Sequence, residues 1–228
     1  MATGRAERDI AADLRGALAP WKPRHFASIT EPAKVGALLR AIDTYPGSFI
    51  TRCALRLAPL VFVRPGELRK AEWREIDFSE ALWSIPGANM KTGEPHLVPL
   101  SEQAMEILKE IEQLTGTGQY VFAGRKPNIP MSENTMNGAL RTLGYSSKEF
   151  TPHGYRAMAR TLLDEQLECR PEIIEHQLAH NVRDPLGRAY NRTKHLTERK
   201  QMMQAWGDYR TKALAAQRHV RAVFQSAP

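Results

Sequence analysis

The sequence predicts an α+β fold that is mainly α-helical and carries one small antiparallel β-sheet. Three observations support this prediction. Most segments have apolar residues at helical spacing behind a recognisable helix start. Short runs rich in Trp, Ile, Phe and Val occur in one region, residues 73–100. The chain has 228 residues, 42% of them hydrophobic, which is room for one large domain.

The predicted helices are placed by caps and prolines. Three starts carry a proline in the first turn, and these are Thr30 with Pro32, Thr151 with Pro152, and Pro171. Ser101 is the predicted cap of a helix over residues 102–114. The apolar segment 48–63 is expected to bend or end near Pro59. Further helices are predicted at residues 7–18, 64–73, 132–143 and about 198–220.

The sheet is predicted from three runs, "WREIDF", "ALWSIP" and "HLVPL". The stretch "GANMKTGEPH" joins the last two runs as a β-hairpin and places Lys91 at its tip. There a mobile ammonium could reach into a groove. An ordinary exposed turn lysine is the alternative.

The positive charge is unevenly distributed. The chain holds 32 Lys and Arg against 25 Asp and Glu, a net charge of +7. Residues 181–228 hold ten Lys and Arg against three acids, whereas residues 1–180 hold 22 of each. This asymmetry favours a polyanionic partner, nucleic acid before membrane. A solvated basic tail is the alternative.

The sequence shows no sign of a membrane segment or of export. No apolar run approaches the roughly 18 residues that span a bilayer, and the N-terminal stretch lacks the apolar core of a signal peptide. A cytoplasmic location is therefore expected. Cys53 and Cys169 are too few for a disulfide framework or a metal cluster and are expected to be small core residues.

Several polar residues are candidates for a functional site. His153 and Arg156 share a face in the first turn of a helix, where a cation is unfavourable for the helix itself. Arg64 follows an apolar run, and Glu67 could orient it. A capping His with a surface Arg, and a structural salt bridge, are the respective alternatives. Tyr190 lies in the polar stretch "RAYNR", unlike a core tyrosine.

His176 and His180 are four residues apart, which is a spacing used by zinc ligands on a helix. Gln177 occupies the position where a zinc peptidase needs its catalytic Glu. No phosphate-binding Gly-rich loop and no acidic cluster for two metals accompany them. No metal and no cofactor are therefore expected. A zinc protein built on "HQLAH" is the alternative.

Metal-free phosphoryl transfer to a protein hydroxyl can be carried out by arginines, histidines, a lysine and a tyrosine. The candidate residues are of these types, and no set of metal ligands accompanies them. The motifs "RPGEL", "MKTG", "HGYR", "LAH" and "AYNR", in this order, resemble the catalytic domain of the tyrosine recombinases of the phage integrase family. The chain looks most like the integrases of satellite phages and genomic islands. The resemblance covers about residues 26–210.

The resemblance implies a role for each candidate. Arg64 and Arg156 are similar to the two arginines that clamp the scissile phosphate, and Glu67 to the acid that supports the first of them. His153 is similar to a phosphate contact that could also act as a base. His180 is similar to the residue that donates to a nonbridging oxygen.

The remaining two roles concern the bonds that break and form. Lys91 is similar to the hairpin lysine that protonates the 5′-hydroxyl leaving group. Tyr190 is similar to the nucleophile that forms a 3′-phosphotyrosyl link. The resemblance thus implies site-specific DNA recombination, the integration and excision of a mobile element, without metal or ATP.

The resemblance also implies partners and domains. The partner is double-stranded DNA at attachment sites, bound by a homotetramer that is monomeric when free, with accessory DNA-bending or directionality proteins and no membrane. Residues 1–25 are expected to be a remnant of a core-binding domain with its linker, 26–209 the catalytic domain, and 210–228 a basic tail. Met202, Met203 and Trp206 are either docking residues for a neighbour or core residues.

Two alternatives to the enzyme use the same fold. One is a DNA-binding remnant without turnover, and the other is strand relaxation of the type IB topoisomerase kind. The "RPGEL" and "LAHN" contexts speak against the topoisomerase. For the chain by itself, weak DNA binding and poor recombination are expected.

Overall fold

The computed structural model describes residues 26–126, 128–180 and 195–215. Eight α-helices lie within these ranges: α1 Pro32–Asp43, α2 Phe49–Val61, α3 Pro65–Arg69, α4 Glu102–Thr115, α5 Thr135–Thr142, α6 Gly154–Glu165, α7 Pro171–Gln177 and α8 Leu196–Ala215. Three strands form one sheet: β1 Ile76–Asp77, β2 Leu82–Ile85 and β3 His96–Pro99. Short 3₁₀ helices occupy Trp73–Glu75 and Gly87–Asn89. The predicted α+β class is confirmed.

Helix α2 is the centre of the core. It packs against α1, α3, α4, α5, α6 and α8. Its start is capped by Ser48, whose hydroxyl accepts from the Thr51 amide at 3.2 Å. It passes through Pro59 and ends at Val61, because Phe62 adopts a left-handed conformation with φ of 59°. The predicted end near Pro59 is therefore correct within two residues.

The sheet is a three-stranded antiparallel meander in the order β1-β2-β3. Trp83 on β2 is buried, and its indole N–H donates to Glu75 at 3.0 Å. The predicted hairpin between β2 and β3 is confirmed, with Ile85 opposite His96 at the start of the turn. Lys91 is exposed in this turn.

Helix α8 closes the core rather than extending from it. It packs against α1, α2, α4, α7 and β3. Met202, Met203 and Trp206 are buried, and the Trp206 indole donates to the Pro59 carbonyl at 2.7 Å. The core alternative for these three residues is therefore the one observed.

Some predicted boundaries were wrong. The cap of α1 is Glu31 and not Thr30, and it makes no side-chain capping bond. Helix α6 begins at Gly154 rather than at Thr151 and Pro152, with His153 as its cap. Helix α7 ends at Gln177, so His180 is not on a helix with His176.

Other expectations concern single residues and the chain ends. Cys53 is buried and Cys169 half-buried against the core, as expected of small core residues. Within the part of the chain that is described, no helix has the length and apolarity to cross a membrane. The helix predicted at residues 7–18, Tyr190 and the end of the predicted basic helix lie outside the described residues.

Candidate active site

Arg156 is positioned by the ends of two helices. It is buried in the first turn of α6. One Nη1 N–H donates to the carbonyl of Phe62, which caps α2, and Nη2 donates to the carbonyl of Leu178, which caps α7, both at 2.5 Å. Helix C-termini leave carbonyls unsatisfied and favour cations. The guanidinium therefore satisfies both helix ends.

Burial, and then the neighbouring Arg64, lower the pKa of Arg156 to about 10. Arg156 is thus still a cation at neutral pH. Helix α6 alone would disfavour a cation at this point, as the sequence indicates. The two other helix ends offset that effect.

Arg64 is held by Glu67 at both its backbone and its side chain. The Arg64 amide donates to Glu67 Oε2 at 2.8 Å, and Nη1 pairs with Oε1 at 2.9 Å. Pro65 at the first position of α3 fixes the turn between them. The predicted contact between Arg64 and Glu67 is therefore observed, and it directs the guanidinium toward the same region as Arg156.

Arg64, Lys91 and His153 line one groove with a volume of about 780 Å³. Phe26 also lines it, with its ring centroid 4.1 Å from that of the His153 imidazole. The groove is open to solvent, and Arg69 and Lys70 also line it, so four arginine and lysine side chains outnumber its two acids, Glu67 and Glu133. Such a surface attracts an anionic ligand.

His153 is a neutral imidazole in this environment. Burial is the largest cause, and the positive charges of Arg156, Arg64 and Lys91 add to it, so that the pKa of His153 is lowered to about 4. Arg64, Lys91 and His153 share the groove, and the Arg156 amide donates to the His153 carbonyl at 3.2 Å. A neutral imidazole can accept a proton at physiological pH, as a general base must.

His180 lies beside Arg156 at the edge of this cluster. Its Nε2 is 3.0 Å from Arg156 Nη2, and its Nδ1 is 2.5 Å from Glu175 Oε2. The imidazole is about half exposed, whereas Arg156 is buried. The structure therefore brings together five of the six predicted catalytic residues. The sixth, Tyr190, lies outside the described residues.

The two histidines considered for zinc point to different places. His176 is buried, with its ring centroid 5.4 Å from that of His195. His180 faces Arg156 instead. Among the described residues, no group of three His, Cys, Asp or Glu side chains could hold a metal ion.

Two further residues of the site, Glu175 and Phe26, were not predicted from the sequence. Glu175 precedes His180 by five residues, a spacing that shares no helix face, and the two meet only because α7 ends at Gln177. Phe26 is the first residue of the predicted catalytic domain, directly after the predicted linker. A pattern of spacing contains no signal for either contact.

A comparison with known proteins identifies the family of this chain. The model of the phage integrase family matches residues 29–196. The chain belongs to the phage integrase family. The resemblance drawn from "RPGEL", "HGYR" and the other motifs is therefore confirmed.

Curated relatives are similar over most of this chain. The integrase of Enterobacteria phage P4 is 41% identical over 214 residues, which are 87% of this chain and 48% of that protein. The putative protein IntB of Escherichia coli K12 is 38% identical over 224 residues, 91% of this chain and 56% of that protein. This integrase-family chain thus spans about half the length of the relatives it matches.

Solved structures share the fold. The lambda integrase catalytic core covers 74% of this chain and 98% of its own, with a TM-score of 0.53 and 22% identity. A lambda integrase dimer bound to a COC′ core site has a TM-score of 0.58 and 20% identity over 83% of this chain and 69% of its own. The fold of these integrase structures therefore covers most of this chain.

Proposed function

We propose that this chain is the strand-cleaving domain of a site-specific DNA recombinase that integrates and excises a mobile element. The single observation that carries the proposal is one basic cluster: Arg64, Lys91 and His153 line the groove, and the contacting pair Arg156 and His180 lies next to His153. A related lambda integrase is bound to a core site and another, as a tetramer, to a Holliday junction. Double-stranded DNA is accordingly the proposed partner.

The proposed chemistry exchanges one phosphodiester bond for another without metal. The Tyr190 hydroxyl oxygen attacks the scissile phosphorus, and the bond to the 5′-oxygen breaks. The guanidinium groups of Arg64 and Arg156 stabilise the charge on the nonbridging oxygens. Neutral His153 takes the Tyr190 proton, and Lys91 gives a proton to the departing 5′-oxygen. Religation reverses these steps.

The assembly is part of the same proposal. Four protomers act on two duplexes, the free protein is a monomer, and accessory DNA-bending or directionality proteins assist. Recombination needs the DNA clamp that the resemblance assigns to residues preceding the catalytic domain. This chain spans about half the length of its relatives, and when it is tested alone we expect weak binding to its site and poor recombination.

A covalent trap tests the chemistry apart from recombination. The chain is mixed with a labelled, nicked attachment-site duplex and separated on a denaturing gel. We expect a shifted band that disappears in Tyr190→Phe and persists in the matched control Tyr120→Phe. A band that survives in Tyr190→Phe would assign the nucleophile to another residue. Binding without any band in the unaltered chain would favour the DNA-binding alternative.

A further inference from the structure

One acidic side chain of the cluster has no part in the proposed chemistry. Glu175, in the last turn of α7, places Oε2 at 2.5 Å from His180 Nδ1 and Oε1 at 3.1 Å from Arg160 Nε. Arg160 also pairs with Asp164 at 3.1 Å. The carboxylate that contacts His180 is thus itself held by Arg160 of α6, whereas the Asp164 side chain hydrogen-bonds, among the described residues, only to Arg160.

The contacts of His180 determine where its proton lies. Arg156 Nη2, 3.0 Å from Nε2, belongs to a guanidinium, which only donates. The Nε2 atom of His180 must therefore accept. The single proton of the neutral ring is then on Nδ1, from which it is donated to Glu175.

This proton placement conflicts with donation from a neutral ring. In the proposed function, His180 donates to a nonbridging phosphate oxygen and so needs a proton on Nε2. Glu175 keeps the other proton on Nδ1. His180 can therefore donate to the phosphate only as an imidazolium that carries both protons.

We infer that Glu175 is a positioning residue that fixes the His180 ring and supplies the counter-charge for a cationic His180 when the scissile phosphate binds. This inference rests on the proposed function. The proton on Nε2 comes from water, and the N–H on Nδ1 stays with Glu175. The Arg156 N–H that faced Nε2 turns to the phosphate, so one proton is taken up as the phosphate binds.

The charges around His180 make this uptake depend on the phosphate. The Arg156 guanidinium, 3.0 Å from Nε2, opposes a second proton on His180. Glu175 favours it, although Arg160 on its outer side draws on the same carboxylate. A bound phosphate anion adds negative charge beside His180 and so favours the ring that carries both protons. Neutral His153 adds no charge of its own.

The first test concerns the free protein and requires no DNA. Side-chain ¹⁵N NMR at about pH 8, where an ordinary imidazole is neutral, reports which ring nitrogen carries the proton. We expect a proton on Nδ1 of His180, assigned by the loss of its signal in His180→Gln. Glu175→Ala should weaken this preference, which Arg156 alone then maintains, and the control Asp164→Asn should leave it unchanged. A proton on Nε2 in the unaltered chain would overturn the inference regardless of enzyme activity.

The second test uses the rate of the Tyr190-linked adduct at saturating DNA. We expect Glu175→Ala to slow cleavage about tenfold to a hundredfold, less than the loss of an entire transition-state donor. Glu175→Asp should recover part of the rate, and Asp164→Asn should stay within about threefold of the unaltered chain.

The pH dependence separates a specific role from general damage. Because Glu175 favours the second proton on His180, the ratio of the rate of the unaltered chain to that of Glu175→Ala should be smallest at low pH, where both proteins carry this proton, and should widen as the pH rises. If this rate ratio does not change with pH, Glu175 has only a structural role and does not support a cationic His180. If the unaltered chain forms no Tyr190-dependent adduct, the proposed function fails, while the NMR result still decides the placement of the proton.

Discussion

At the scale of single residues, the site shows how tertiary structure resolves a local conflict. Arg156 is unfavourable at the start of its own helix, yet it contacts the carbonyl ends of α2 and α7. Without Arg156, these two carbonyl groups would lack a hydrogen-bond donor in a buried region. The fold therefore requires the same arginine that the proposed phosphate site uses. One side chain therefore links core stability to the proposed phosphate site.

Phe26 has a measurable effect on its neighbour at the same scale. Its ring lies 4.1 Å from the His153 imidazole, although Phe26 itself is 60% exposed. Burial is the largest cause of the lowered pKa of His153, which is about 4. We predict that Phe26→Ala raises the pKa of His153 toward the ordinary histidine value, because water reaches the ring.

An NMR titration of the His153 ring protons measures this shift. Leu114→Ala is the matched control, since Leu114 is also a large exposed hydrophobic residue but lies on α4. A pKa of His153 that does not move in Phe26→Ala would mean that other neighbours shield the ring. In that case the arginines and Lys91 would carry more of the effect.

At the scale of elements, the sequence predicts helix existence better than helix ends. Proline and serine signals located α4 and α7 well, because Ser101 and Pro171 act through local backbone chemistry. The start of α6 was misplaced by two to three residues. There the His153 side chain makes no capping hydrogen bond. Instead, the start of α6 is hydrogen-bonded to residues 27–28, which are distant in sequence.

The same distinction applies to the site. The pairing of Arg64 with Glu67 is local and could be predicted from a spacing of three residues. Lys91 was placed correctly because a hairpin turn is a local signal. The contact of His180 with Glu175 depends on where α7 stops, and that of Phe26 with His153 on packing across the chain. No periodic pattern encodes such contacts.

The packing of residues 26–28 against α6 depends on a glycine. The Ser28 hydroxyl donates to the Gly154 carbonyl at 2.7 Å, and the Thr151 amide donates to the Ala27 carbonyl at 3.3 Å. A Cβ on Gly154 would lie 2.4 Å from the Ala27 carbonyl oxygen. Backbone would have to move, and with it the segment that places Phe26 over the site.

We predict that Gly154→Ala lowers the free energy of unfolding by about 1–3 kcal/mol, the usual cost of overpacking. Gly138→Ala is the matched control, because a Cβ on this α5 glycine meets nothing within 4 Å. That control should raise the free energy of unfolding by about 0.5–1 kcal/mol through helix propensity. Urea unfolding of both variants checks this, and equal effects of the two substitutions would contradict the predicted close approach.

At the scale of the whole molecule, the basic C-terminal part serves the core as well as the surface. Arg199 is buried and donates to Gln177 Oε1 and to the Leu97 carbonyl. Arg210 is also buried, and burial lowers its pKa to about 10. Two of the ten basic residues after position 180 are therefore structural, so the count of charges overstates what DNA can contact.

Arg199 and Gln177 belong to a buried polar network that joins distant parts of the chain. The Gln177 amide donates to the Val61 carbonyl at 3.3 Å, and His96 Nε2 lies 3.1 Å from the Gln177 carbonyl oxygen. The network thus connects α2, β3, α7 and α8. His96 belongs to this network and is almost completely buried.

The charge state of His96 should make stability depend on pH. Burial, followed by the charge of Arg199, lowers the pKa of His96 to about 3. In the unfolded chain an ordinary histidine has a pKa of about 6.5. Between these values the unfolded state binds a proton that the folded state does not, so the free energy of unfolding decreases as the pH falls. The contribution of His96 is fully present above about pH 6.5 and is lost progressively toward pH 3.

We therefore predict that His96→Gln reduces the pH dependence of unfolding. A neutral amide can still donate to the Gln177 carbonyl but takes up no proton, so the slope should fall by up to about 1.4 kcal/mol per pH unit below about pH 6. Urea unfolding at several values between about pH 7 and pH 4.5 measures both slopes. Because His153 contributes equally in the two proteins, the difference isolates His96. Parallel slopes would show that His96 is protonated equally in the folded and unfolded states, and hence that water reaches the network that joins α7 to α8.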